Sequence, residues 1–441
     1  MNTRDLRQSA RLIWEAALNA ANPATCIRNF VHLNDRVLFI GGKETQVRGR
    51  LIVIGAGKPS AKMAQVVEEI LGASITDGLV VTKYGHALPL DRIRLIEAGH
   101  PIPDAAGIRA VQQTRELLQG LTKDDIVLCL LSGGGSALWP APASGITLEQ
   151  KQEVTLLLLR AGATIRELNA VRKHLSDMKG GQLARWAAPA HVISLIMSDV
   201  IGDPIDFIAS GPTAPDTTSF SDALAIIQKY GIEVPDAVLE RFQQGARGHI
   251  SDTPKPGDPV FKNVENHVIA NNRVLIDAAV EKARELGFNT VILGTEVEGE
   301  AKDVGRFFSA IAREIGRSGN PAPIPACVLA AGETTVTVRG HGIGGRNQEM
   351  ALAWAVSMGS RPSPATACFA SVATDGTDGP TNAAGGIVDQ LTCARAVELG
   401  LTPLQYLRAN DSAKFLKATG DLIITGPTQT NLMDLQILLV G

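Results

Sequence analysis

The stretch Leu51-Ile52-Val53-Ile54-Gly55-Ala56-Gly57-Lys58-Pro59-Ser60, followed by Ala-Lys-Met-Ala-Gln-Val-Val-Glu-Glu-Ile-Leu71, decides the fold class. Residues 51–54 are an unbroken apolar run, which reads as a strand buried on both faces. Residues 59–71 carry apolar side chains at helical spacing, with Pro59 at the entry. A strand that feeds a helix through two glycines is the first half of a βαβ unit.

The same alternation extends downstream. Residues 79–82, 93–96, 126–131 and 192–197 are predicted strands, and 104–119 and 147–162 are predicted helices, the first with Asp104 as N-cap. The polar run at 251–259, with three prolines, is the candidate linker. Beyond it come a strand at 267–270, a helix at 273–286, a strand at 290–293 and a helix at 300–316. Strands at 328–331 and 334–338, a helix at 346–357 and strands at 369–373, near 421–425 and at 435–440 complete the reading. The prediction is therefore α/β with two domains. Residues 1–250 form a Rossmann-like three-layer α/β/α domain on a parallel sheet, and 263–441 a smaller α/β domain with a mixed sheet.

Composition narrows the function. A net charge of −3 and an aromatic content of 4% argue against nucleic-acid binding. The five cysteines are scattered without a CxxC pair, so they read as small core hydrophobes rather than a disulfide or zinc framework. At the N-terminus, Leu6, Ala10, Ile13, Trp14, Ala17 and Leu18 alternate with charges at helical spacing, unlike the continuous apolar core of a signal peptide. No run approaches the length of a membrane span. The expectation is a cytoplasmic protein with a small-molecule substrate and neither nucleic-acid nor membrane partners. Assembly as a homo-oligomer is compatible with this.

Four sets of loops carry candidate chemistry. In the first, Gly55 and Gly57 let backbone approach a ligand at a helix N-terminus, where Lys58 adds a positive charge. The spacing is not that of a Walker A loop. Nor is it a dinucleotide loop, because Ser60 stands where a third glycine is required and Lys83 stands where an acid is usual. A tight turn with a solvated lysine would read the same. The second is Ser132-Gly133-Gly134-Gly135-Ser136, whose three glycines after a buried strand allow a nest of backbone N–H groups.

The third includes Asn169, Arg172 and Lys173, then Asp199 just past a strand, then Ser210 and Gly211. The two cations suit the charge the glycine loop lacks, and Asp199 suits a metal ligand or a base. His174 reads as structural. The fourth gathers Glu333, then Gly344-Gly345-Arg346-Asn347, then Asp375 and Asp378. Arg346 falls in the first turn of a helix, a placement that suits a phosphoryl group in transfer. The aspartates suit either a metal site or Asx turns. No Gly-x-Ser-x-Gly elbow and no His-Glu-x-x-His is present. Glycine nests, isolated cations and loop carboxylates are what phosphoryl transfer needs.

At these loops the sequence resembles the glycerate 2-kinase family, the class II glycerate kinases with a C-terminal MOFRL domain. The resemblance is carried by IGAGKPSAKMA (54–64), GHPIPD (99–104), LLSGGGSAL (130–138), NAVRKHLSDMKGG (169–181), SDVIGDPIDFIASGPT (198–213), AAGETTVTVRGHGIGGRNQEMAL (330–352) and ATDGTDGPTNAAGG (373–386). Seven segments in order over nearly the whole chain are highly specific. The resemblance implies a MOFRL region at about 325–436 and an active site in the cleft between the domains. It implies an ATP- and Mg²⁺-dependent phosphotransferase with an alcohol acceptor, converting D-glycerate to 2-phosphoglycerate. It gives Lys58 and Arg346 catalytic roles, and Asp199 is assigned to metal or base. Because members of the family are often labelled hydroxypyruvate reductases, an NAD(P)H-dependent reductase is the competing expectation.

Overall fold

The computed structural model describes residues 1–441. The chain divides into a parallel-sheet unit, Pro23–Ile269, and a mixed-sheet unit made of Met1–Asn22 together with Ala270–Gly441. No helix is long and apolar enough to cross a membrane.

The parallel-sheet unit opens with a small meander of β1 (Val31–Asn34), β2 (Val37–Ile40) and β3 (Lys43–Gln46). Its main sheet is built from β4 (Leu51–Ala56), β5 (Asp77–Lys83), β6 (Arg94–Ala98), β7 (Ile126–Ser132), β8 (His191–Met197) and β9 (Val264–Ala270), in the order β6-β5-β4-β7-β8-β9. The pairs from β6 through β8 are parallel. Every residue of β4 and β7 is buried, as an interior parallel strand with both faces covered requires. The helix Ala105–Leu117 is capped by Asp104, whose carboxylate accepts from the Gly107 N–H at 3.1 Å. A second core lies among the helices Leu148–Arg160, Ile165–His174, Phe220–Tyr230 and Asp236–Ala246.

The mixed-sheet unit holds β10 (Asn289–Val297), β11 (Ala326–Gly332), β12 (Ala367–Ala373), β13 (Gly385–Asp389), β14 (Leu422–Ile423) and β15 (Asp434–Val440), ordered β10-β11-β15-β12-β13-β14. Only β10 and β11 are parallel; the other pairs are antiparallel. The N-terminal helix Thr3–Ala20 belongs to this unit. It packs on the helix Asn272–Glu285 and on β12 and β15, and Arg7 bridges Asp389 and Asp421, each at 2.9 Å.

Four expectations change. Residues 1–22, assigned to the first domain, belong to the mixed-sheet unit because the N-terminal helix packs on its elements. Residues 251–259 are wired into the parallel-sheet unit rather than linking two domains: Thr253 Oγ1 donates to Asp216 at 2.9 Å, and the Asp252 carboxylate meets His174 Nε2 at 2.8 Å. The strand assigned to the second half, 267–270, lies in β9, the edge of the first sheet. Residues 334–338 form no strand. Thr335 makes an isolated bridge to Glu300, and the Glu300 carboxylate takes the Thr337 N–H and hydroxyl. That contact draws the segment along the start of the helix Ala301–Ser318 and away from the sheet.

Candidate active site

In the parallel-sheet unit the candidate loops leave the carboxyl ends of neighbouring strands. Ala56 pairs with Leu131 and Ser132 with Met197, so Lys58, the 132–136 loop and Asp199 all lie on one edge of the sheet. Open α/β sheets bind ligands at this edge. Gly57 has φ +154°, and a Cβ there would fall 1.8 Å from Ser132 Oγ, so the two glycine loops touch at a point that admits only glycine. The Lys58 N–H donates to Gly133 O at 2.8 Å. A Cβ on Gly134 would lie 3.0 Å from His100 Cδ2 and 3.4 Å from Lys58 Cγ, which sets the Lys58 stem and the His100 ring against the nest. Ser60 is fully buried, its hydroxyl 2.8 Å from Gly57 O and 2.6 Å from Val81 O. It fills the place where a dinucleotide-binding loop needs a glycine for close helix–strand packing.

Ser136 is positioned through a polar chain. Its Oγ lies 3.0 Å from Ser210 Oγ, which donates to Asn169 Oδ1 at 2.9 Å. Ala209 and Ser210 have φ +52° and +61°, followed by Gly211 at +61°. Two non-glycine residues in the left-handed region are strained, a feature that clusters at functional sites. The Gly180 and Gly181 N–H groups hold the turn by donating to Ser210 O at 3.0 Å and Gly211 O at 2.7 Å.

The sequence-predicted residues separate here. Asn169 and Ser210 are buried and support Ser136, Ser132 is buried with no hydrogen-bond partner for its hydroxyl, and Gly134 and Ser136 line a cavity of about 610 Å³. Arg172 lines it as well. Lys173, the next residue, turns away: its ammonium is 1% exposed and binds Asp206 at 3.0 Å and Asp216 at 3.3 Å. His174 is structural, with Nδ1 2.7 Å from Ala170 O and Nε2 2.8 Å from Asp252. Two cavity residues escaped the sequence reading. Lys151 and Lys179 are 6% and 2% exposed, and their Nζ groups donate to backbone carbonyls, Lys151 to Pro140 and Lys179 to Ser136 and Trp139. Burial, reinforced by the charge of Arg172, lowers Lys151 to about 7, and burial with the charges of Lys151 and Arg172 lowers Lys179 well below its ordinary value. The signal for Lys151 was its phase, since it shares a buried helix face with Val154 and Leu158.

In the mixed-sheet unit, Gly345 is the N-cap of the helix Arg346–Ser360. A Cβ there would sit 2.3 Å from Asp378 Cγ, because the Asp378 carboxylate occupies the helix N-terminus. It accepts from the Asn347 N–H at 3.1 Å and the Gln348 N–H at 2.9 Å. Asn347 and Asp378 therefore serve each other rather than a ligand. Burial pushes the Asp378 carboxyl up to about 6 even though these donors favour its charged form. Asp375 forms an Asx turn with Thr377, its Oδ1 accepting the Thr377 N–H at 3.0 Å. Arg346 is clamped by Asp434, with Nε and Nη2 on its two carboxylate oxygens at 2.5 and 2.9 Å, and Nη1 is 2.9 Å from Glu333. Three of its five N–H groups are thus engaged, and two are left to meet an oxyanion. The five cysteines are free, and burial raises Cys26 and Cys393 to about 11, which suits inert thiols.

A family model described as a domain of unknown function (DUF4147) matches residues 9–243, and the MOFRL family model matches residues 326–434. The chain is 45% identical over 392 residues to the D-glycerate 2-kinase of Thermotoga maritima, covering 89% of this chain and 91% of that protein. It is 43% identical over 444 residues to the glycerate 2-kinase of Pyrococcus horikoshii, covering 100% and 98% of the two. The chain belongs to the glycerate 2-kinase family. A crystal structure of glycerate kinase from Thermotoga maritima superimposes with a TM-score of 0.88 at 41% identity, over 99% of this chain and 100% of that one. Family membership makes the protein a kinase, and a kinase requires a nucleotide substrate. It sets aside the reductase expectation, in agreement with the buried Ser60.

Proposed function

We propose that the enzyme transfers the γ-phosphoryl group of ATP, in the presence of Mg²⁺, to the 2-hydroxyl of D-glycerate, releasing ADP and 2-phosphoglycerate in the cytoplasm. The observation that carries this reading is the gathering of Lys58 and the Gly133–Gly135 nest at one carboxyl edge of the parallel sheet, in a member of this kinase family. In the short helix Gly135–Leu138 the Ala137 and Leu138 amides bond Gly134 O, which leaves the Gly135 and Ser136 amides as donors for an anion. In this reading Lys58 neutralises charge on the transferred phosphoryl group, and the family resemblance assigns the same work to Arg346. Charge neutralisation of that kind is the main work of phosphoryl-transfer catalysts.

Asp199, half-exposed beyond β8, suits Mg²⁺ held jointly with nucleotide phosphates, since that ion takes only one or two protein carboxylates in such sites. When bound, the ion would offset phosphate charge. No group of three or more potential ligands stands ready to hold a metal by itself. The deciding assay supplies purified enzyme with D-glycerate, ATP and Mg²⁺ and passes the product to enolase without a mutase. Phosphoenolpyruvate should form as ADP is released. ADP release that requires added phosphoglycerate mutase would place the phosphate on the 3-hydroxyl instead, and absence of ADP release would remove the kinase reading.

A further inference from the structure

The cavity beside the glycine nest is amphipathic in depth. Its floor is basic: Lys151 and Lys179 are more than nine-tenths buried, and Arg172 stands beside them. No carboxylate forms an ion pair with any of the three, although Asp177 stands near enough to favour the charged form of Lys151, whereas the neighbouring Lys173 is paired with two. Burial holds both lysines toward their neutral form, and charging them is costly unless an anion arrives to pair with them. The lysines secure the carbonyls of residues 136–140, a task that needs no charge, whereas Arg172 adds to the same floor a guanidinium that this task does not use.

The mouth is apolar instead. Ile102, Leu156 and Leu159 are 71%, 47% and 55% exposed and line it together with Pro101 and Pro103. The lining acids, Glu149 and Glu153, share the exposed helix face of Leu156 at i, i+4 and i+7, away from the basic floor. At its inner end the cavity includes His100 and Gly134, the groups that adjoin Lys58.

A volume of about 610 Å³ is in the range of pockets for cofactor-sized molecules. A three-carbon hydroxy acid has no apolar surface to offer the mouth and would leave most of this space empty. A nucleoside triphosphate matches both ends, with an aromatic base and a polyanionic tail. We infer that this cavity is the nucleotide subsite: the base lies between the Pro101–Pro103 segment and Leu156/Leu159, and the polyphosphate runs over Lys151, Lys179 and Arg172 toward Lys58. This deepens the kinase reading and rests on it.

The test uses the full-length enzyme and two variants. Leu156→Trp fills the mouth from an exposed position without touching the loop, and Lys151→Met removes one floor amine. Both should raise KM for ATP tenfold or more while leaving KM for D-glycerate within twofold. Calorimetry with a non-hydrolysable ATP analogue, without glycerate, should show the same loss of affinity in both variants. A rise in KM for D-glycerate with KM for ATP unchanged would overturn the inference by giving the floor to the acid. Unchanged binding of the analogue to a folded Leu156→Trp variant would overturn it equally. Because the calorimetry needs no turnover, it separates this inference from the identity of the acceptor: a wild-type enzyme that binds the analogue but leaves glycerate untouched would fail only the functional reading.

Discussion

Lys173→Met removes a charge while keeping most of the side chain's apolar length, so it separates a structural role from a ligand role at this position. The ammonium lies 3.3 Å from Asp216, which is itself fully buried, and 3.0 Å from the half-buried Asp206. Removing one partner of a buried pair leaves an uncompensated charge and costs about 3–5 kcal/mol. The lower end applies here, since Asp216 keeps Thr218 N–H at 3.0 Å, Thr218 Oγ1 at 2.8 Å and Thr253 Oγ1 at 2.9 Å. For a unit of this size roughly 3 kcal/mol lowers Tm by about 6–12 °C. Burial raises the Asp216 carboxyl, but Lys173 and the Thr218 donors outweigh it and hold the group below its ordinary value. Its contribution is therefore present at neutral pH and lost as pH falls through the folded-state value, and the variant should flatten that acid limb. Calorimetric melting from pH 4 to 8, run beside steady-state kinetics, tests both. Lys173→Met/Asp216→Asn should recover part of the loss. An unchanged Tm with a raised KM for either substrate would refute the structural role and return Lys173 to the binding site.

Two other outcomes follow from the loops. Gly57→Ala places a methyl 1.8 Å from Ser132 Oγ at φ +154°, so it should cost about 1–3 kcal/mol and most of kcat. Gly57→Ala/Ser132→Gly should recover stability more than turnover, because the clash is relieved while the Lys58 backbone stays displaced; thermal melting and kcat measure the two effects. For Asp378, the folded-state value of about 6 exceeds the ordinary 3.8, so folding takes up a proton between those values and its contribution to stability falls as pH rises through that window. A rise of that size is worth roughly 3 kcal/mol, and the stability of the wild type relative to Asp378→Asn should decline by that order from pH 4 to pH 7 in urea melts.

The strands between 51 and 197 were legible because each interior parallel strand is a run of apolar residues with turn signals at both ends. The meander β1–β3 was not, since four-residue strands leave no period to read. Strand β13 opens on Gly385-Gly386 and hides inside a loop motif. Residues 334–338 have the β-branched alternation of a strand, but the Glu300 carboxylate captures them. In the candidate site the glycine nests were readable from composition alone, whereas the charges were not. Arg172 and Lys173 are adjacent on one helix, and successive side chains on a helix diverge by about 100°. One therefore reaches the cavity and the other the Asp206–Asp216 pair. The sequence left Asp378 open between a metal site and an Asx turn because its role as the helix N-terminal anion depends on a contact 31 residues away.

The division of the chain has a consequence for how it is made. The helix Thr3–Ala20 leaves the ribosome before the parallel-sheet unit, yet its partners begin only at the helix Asn272–Glu285 and end with β15. The whole parallel-sheet unit is synthesised in between, and at ordinary elongation rates of roughly 5–20 residues per second the wait is on the order of 10–50 s. During that time Leu6, Ile13 and Trp14, fully or nearly buried in the finished fold, have no surface to cover them. The nascent chain thus carries an orphaned amphipathic helix past the parallel-sheet unit, which makes the helix Thr3–Ala20 a natural handle for a chaperone.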